Sequence, residues 1–176
     1  MTGIFTRNRL IGLGFAAFIA VIDQVVKWYV AGPLALEFEG DKIDLLPFFD
    51  LTRVHNYGIS LGMLQATSME MRWGLVLLTA LIALVVLVWM MREKNIYDIL
   101  GLAMILGGAV GNIRDRWDLG YVLDYADFHI GTFRPFLVFN IADAAITIGV
   151  VIILARSLFV REKDEQPDIE SVPSEN

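Results

Sequence analysis

Four long apolar runs constrain this chain more than any other feature of it. They cover residues 10–31, 73–91, 96–113 and 136–160. A helix needs roughly 20 apolar residues to cross the hydrocarbon core of a bilayer. The second run carries no charge, and the others are interrupted at few points. Asp23, Gln24 and Lys27 fall in the first, Asp98 and Asn112 in the third, and Asn140, Asp143 and Arg156 in the fourth. Only 19% of the residues are charged, against about 25% in a soluble domain. The predicted fold is therefore an α-helical membrane protein with four transmembrane helices. Gly101, Gly107, Gly108 and Gly111 mark the third run as the central helix, because glycines let neighbouring backbones approach closely. Arg7 and Arg9 precede the first run as they would a signal peptide. However, the run is longer than a signal core, and Ala31-Gly32-Pro33 is a poor cleavage site. It is predicted to be a permanent helix.

Orientation follows from the basic residues. With four spans, one side holds Arg7, Arg9, Arg92, Lys94, Arg156, Arg161 and Lys163, and the other holds Lys42, Arg53, Arg72 and Arg134 over far more chain. Both termini are predicted to be cytoplasmic, with outer loops 32–72 and 114–135. In the first outer loop Leu34, Leu36 and Phe38 alternate with Ala35, Glu37 and Glu39, a strand period. Gly40-Asp41 offers a turn, 42–46 a second strand, and 48–54 a third. The expectation is a small outward-facing β-sheet on the first outer loop, followed by an interfacial helix over 57–71. Residues 1–160 read as a single membrane-embedded domain. The stretch 161–176 is acidic and poor in apolar residues, and reads as a disordered cytoplasmic tail.

Several chemistries are excluded early. The chain has no cysteine, which removes thiol nucleophiles and cysteine metal sites. A net charge of -6 with no basic stripe argues against nucleic acid. His55 and His129 are far apart and no HExxH occurs. Ser60 and Ser68 have no activating neighbour, and Lys27 already has Asp23. No metal or cofactor is predicted, and the chain is expected to be a monomer.

The polar residues inside the runs gather at one depth. Asp23 lies eight residues before the end of its run, or roughly 12 Å down a helix. Lys27 follows it at i+4. Asp143 lies seven residues inside the fourth run, about 10 Å deep, with Asn140 three residues earlier. Asn112 and Arg116 form an i, i+4 pair at the end of the third run, and Asp124 follows in the loop. Ionisable groups in a bilayer are costly and are usually paired or functional. For Asp23 and Lys27 the plain reading is an internal ion pair, with contact to substrate backbone or a lipid head group as the alternative. Arg116 suits a structural fork holding carboxylates or carbonyls. Arg114 and Asp115 read as interfacial, and Trp28, Trp73, Trp89 and Trp117 as an aromatic belt. Asp143 and an acid of the 123–128 segment have no basic partner at i±3 or i±4. Two carboxylates at one site share a proton and can activate a water between them. Spacing alone leaves Asp124 and Asp127 as rivals for that role. It also leaves a proton relay through Asp23, Lys27 and Asp143, or a purely structural subunit, as competing classes.

The motifs, taken together, resemble those of the prolipoprotein signal peptidase family, signal peptidase II, over roughly 10–158. They are Asp23-Gln24-Val25-Val26-Lys27, Asn56-Tyr57-Gly58, the run from Gly107 to Arg116, Gly120-Tyr121-Val122-Leu123-Asp124-Tyr125, and Phe139-Asn140-Ile141-Ala142-Asp143-Ala144. The resemblance implies a membrane aspartic endopeptidase of the bacterial inner membrane, with Asp124 and Asp143 as the catalytic pair. It implies Asp23, Lys27, Asn56, Gly58, Asn112, Arg116 and Asn140 as substrate-binding or structural supports. It further implies diacylglyceryl-modified lipoprotein precursors as partners, cleaved on the amino side of the lipidated cysteine, at a site near the outer face. The chain departs from the family pattern at Val26, at Ile59-Ser60-Leu61 and at Tyr125.

Overall fold

A computed structural model of the chain describes residues 5–58 and 68–159. Its elements, in chain order, are α1 (Arg7–Ala31), β1 (Lys42–Leu46), β2 (Phe49–Asn56), α2 (Met69–Arg92), α3 (Ile96–Asp118), β3 (Val122–Phe128) and α4 (Ile141–Phe159). All four helices are long and apolar enough to cross a membrane. Polar side chains start three of them. Thr6 accepts from the Arg9 amide, Ser68 from Met71 and Asn95 from Tyr97, each satisfying an amide that the helix leaves free.

Helix α3 packs against the other three. Lipid is as apolar as leucine, so close van der Waals contact holds such helices together rather than escape from water. The glycines supply that contact. A Cβ at Gly108 would strike the Ala142 carbonyl of α4, and one at Gly111 would lie 2.5 Å from Asp23 Oδ2 of α1. Ala16, Ala83, Val86, Met90, Ile99, Leu102, Ala103 and Leu106 form the apolar middle of the bundle. Near the sheet-free end, Arg156 of α4 grips Asp98 of α3 with a bond of 2.6 Å.

The sheet is three-stranded and antiparallel, in the order β1-β2-β3. Two strands come from the first predicted outer loop and the third from the second. Within it, Asp50 faces Asp127, Val54 faces Asp124 and Asn56 faces Val122. A second apolar cluster, Val30, Leu36, Tyr125 and Ala126, joins the sheet to the end of α1.

The element boundaries depart from expectation at several places. The 34–38 segment forms no strand. Leu36 is buried and gives its carbonyl to Arg53, while a turn closes over 38–41 through the Asp41 carboxylate and the Phe38 amide. Helix α3 runs on to Asp118, past the apolar run that predicted its end. Arg72 closes that end, donating Nε to the Arg116 carbonyl at 2.8 Å and Nη2 to that of Trp117, where cations are favoured. Helix α4 starts at Ile141 rather than at 136, because Phe139 pairs with Ala126 in a short antiparallel bridge. That pairing holds the preceding residues extended. Of the interfacial helix expected over 57–71, residues 59–67 lie outside the described residues, and from Met69 the chain is α2. Ser60 and the tail 161–176 also lie outside them.

Candidate active site

The first turn of α4 organises the polar cluster. Asn140 precedes the helix, and its Oδ1 accepts the Asp143 amide at 2.9 Å. In return the Asn140 amide approaches Asp143 Oδ2 at 3.3 Å. This is a capping box built from Asn and Asp. The Asn140 side chain also donates to Asp124 Oδ1 on β3 at 2.6 Å. One residue therefore touches both acids. Asp143 sits in the first helical turn, shallower than the depth expected from a longer helix.

Each acid has a second amide. Asn56, the last residue of β2, donates to Asp124 Oδ2 at 3.0 Å. Asn112 of α3 donates to Asp143 Oδ1 at 2.8 Å. Asp124 is 2% exposed, whereas Asp143 is half-buried. Burial pushes the Asp124 carboxyl up to about 7, and the charge of Asp143 adds to the rise. The Asn56 and Asn140 amides oppose it. The acids thus differ in setting, one enclosed in the sheet and one at a helix N-terminus that favours negative charge. Asp127 points to no such role. Arg134 binds it at 3.1 Å and Thr52 donates to it at 3.2 Å, so it belongs to an ion pair at the sheet.

Beneath the acids lies a charged floor. Lys27 binds Asp23 at 2.8 Å, the expected i, i+4 pair, and also Asp115 at 2.7 Å. It donates to Asn112 Oδ1 at 3.2 Å, which polarises the amide serving Asp143. Asp23 reaches past Gly111 to accept the Ala142 amide at 3.0 Å, tying α1 to the start of α4. Arg116 Nη2 holds the Gly58 carbonyl at 2.9 Å, and the Gly58 amide turns back onto Asn56 Oδ1 at 3.1 Å. All nine predicted site residues thus enter one connected network.

Asp115 corrects the interfacial reading. It is 3% exposed, and its Oδ2 accepts the Leu123 amide at 3.1 Å, beside Asp124. Gln24 donates to it at 2.8 Å. The signal was present in the spacing. Gly108, Gly111 and Asp115 recur at helical intervals and share the packed face of α3, provided the helix outruns its apolar stretch. Arg53 and Tyr121 were missed too. The Arg53 guanidinium spans the Leu36 carbonyl, His55 and the Tyr121 hydroxyl, and so stiffens β2 just before Asn56.

This geometry can hold a water between two carboxyls, one enclosed and one half-buried, fixed by amides on three elements. It does not form a relay across the membrane. Among the described residues, the network and the Asp98–Arg156 pair are separated by the apolar middle of the bundle.

A family model described as signal peptidase (SPase) II matches residues 15–159. A lipoprotein signal peptidase of Rhizorhabdus wittichii is 51% identical, over 96% of this chain and 94% of that one. One of Sphingopyxis alaskensis is 52% identical, over 89% and 90%. A solved bacterial membrane enzyme superposes with a TM-score of 0.75 at 26% identity, covering 92% of this chain and 94% of that one.

Proposed function

The chain belongs to the signal peptidase II family, and from that premise we propose that Asp124 and Asp143 are its catalytic pair. The protein is a bacterial membrane peptidase, and its substrates are lipoprotein precursors. Our reading is that it cleaves on the amino side of the diacylglyceryl-modified cysteine. A signal peptide enters as a membrane helix, and the lipid chains stay in the bilayer while the modified cysteine reaches the sheet end of the bundle. Both termini are cytoplasmic in this reading, and the sheet lies on the outer face. The protein acts as a monomer.

In the proposed cycle the enclosed Asp124 carries the proton that the pair shares, and Asp143 carries the charge. Asp143 takes a proton from the water as its oxygen adds to the scissile carbonyl carbon. Asp124 gives its proton to the carbonyl oxygen. The tetrahedral intermediate then collapses, the amide nitrogen takes the proton from Asp143, and the C–N bond breaks. Asp124 regains its proton from the second hydroxyl of the intermediate. The products are a signal peptide with a free carboxylic acid, which then ionises in water, and a lipidated cysteine with a free amine. Asn56, Asn112 and Asn140 hold the acids in place, and Arg116 holds the Gly58 carbonyl beside them.

The observation that carries this reading is the Asn140 bond to both acids. The test is incubation of detergent-purified protein with a diacylglyceryl-modified precursor, followed by gel analysis. Asp124→Asn and Asp143→Asn are expected to keep the helical circular dichroism spectrum and lose cleavage. Wild-type turnover by purified Asp143→Asn would end the proposal.

A further inference from the structure

A cavity lies beside the acid network and shares Lys27 and Asp115 with it. It has a volume of about 480 Å³ and opens between the sheet-side ends of α1 and α3. Leu123 lines it, whereas its neighbour Asp124 serves the acid pair, as strand alternation requires. The walls on α1 are Val21, Val25 and Trp28, which are 60%, 53% and 67% exposed. In a membrane-spanning helix such side chains face lipid. The floor is polar, formed by Gln24, Lys27 and Asp115. Gln24 donates its amide to Asp23, Gly111 and Asp115, and its Oε1 accepts no bond from the described residues. At the rim stand Arg114 and Asp118, a loose ion pair of 3.4 Å with both side chains more than half exposed.

We propose that this cavity binds one zwitterionic phospholipid with a primary amine in its headgroup, a phosphatidylethanolamine of the sheet-side leaflet. The volume lies within the range of small-ligand sites. Its lining on α1 runs from Val21 to Ala31, about 15 Å of helix, enough for a headgroup and the start of the acyl chains. Arg114 and Asp118 form a weak exposed pair. A phosphate and an ammonium inserted between them exchange one ion pair for two and leave the charge balance unchanged. The guanidinium fork matches phosphate oxygens. A primary ammonium donates hydrogen bonds to Asp118 that a quaternary headgroup lacks. The indole of Trp28 suits the interfacial depth. None of the proposed chemistry of cleavage is needed for this binding, so the two proposals fail separately.

The test is native mass spectrometry of the full chain in detergent. The probe is an equimolar mixture of phosphatidylethanolamine, phosphatidylcholine and phosphatidylglycerol with identical acyl chains. The expected result is one retained phosphatidylethanolamine, favoured about tenfold over each of the others. The double variant Arg114→Gln, Asp118→Asn is expected to lose that preference. Leu119→Trp, at an exposed position on the cavity wall, is expected to lower retention of the lipid. Equal retention of the three lipids would overturn the proposal, as would a preference for phosphatidylglycerol. A preference unchanged in both variants would overturn it too.

Discussion

Replacing Asn56 by Ala tests how the two acids divide their labour. The Asp124 carboxyl stands at about 7 because burial and the Asp143 charge resist its ionisation, while two amides favour it. Asn56→Ala removes the 3.0 Å amide and leaves that of Asn140. A hydrogen bond to a charged group contributes about 1.5–3 kcal/mol, and one pKa unit is about 1.4 kcal/mol. The lost bond served the ionised form, so its removal raises the pKa, by about one to two units. In the proposed cycle Asp124 must be protonated, so cleavage falls as the pH rises through its pKa. The alkaline limb of kcat/KM, which reports the free enzyme, is therefore expected to move upward from neutral pH in the variant. Steady-state cleavage of a lipidated peptide across the neutral and alkaline range measures this. A limb that stays in place, or moves toward acid, would refute the assignment of the shared proton to Asp124.

Three further outcomes follow from the geometry. Asp127→Asn is expected to keep kcat/KM near wild type while Asp124→Asn removes it, and equal loss in both would return Asp127 to the acid pair. Gly111→Ala places a Cβ 2.5 Å from Asp23 Oδ2 and is expected to cost about 1–3 kcal/mol by overpacking, seen as a lower thermal midpoint in detergent. An unchanged midpoint would show that α1 and α3 are not held at this distance. Lys27→Met leaves Asp23 and Asp115 buried without their shared cation, at a cost of about 3–5 kcal/mol. Adding Asp115→Asn to that variant is expected to restore part of the loss, and a further loss would contradict the shared-cation account.

The four helices were legible because spanning a bilayer imposes length and apolarity together, and 10–31, 73–91, 96–113 and 136–160 each show both. Their ends were not, because ends are set by partners. Apolar periodicity stops α3 at Ile113, yet Arg72 and the Lys27–Asp115 pair carry it to Asp118. Phe136–Asn140 reads as helix until Ala126 pairs with Phe139. Strand β3 was hidden for a related reason. It is buried along almost its whole length, so it lacks the polar alternation of a half-exposed strand, and its acids look like loop residues. The choice of Asp124 over Asp127 came from resemblance to a family. Spacing could not supply it, since Arg134, the partner of Asp127, sits seven residues away across a turn. Asp23 and Lys27 were legible as a pair because i, i+4 spacing is local. Their third partner, Asp115, is not.

The capping box of α4 has a bearing on how the protein is made. The acids sit on elements that come late and separately in the chain, one in a strand that pairs with a hairpin formed far earlier in the sequence, the other in the last helix. Asn140 completes both at once. A nascent chain with three helices inserted has the hairpin but no competent pair of acids. With the proposed pair, the site is complete only once the final helix is in place.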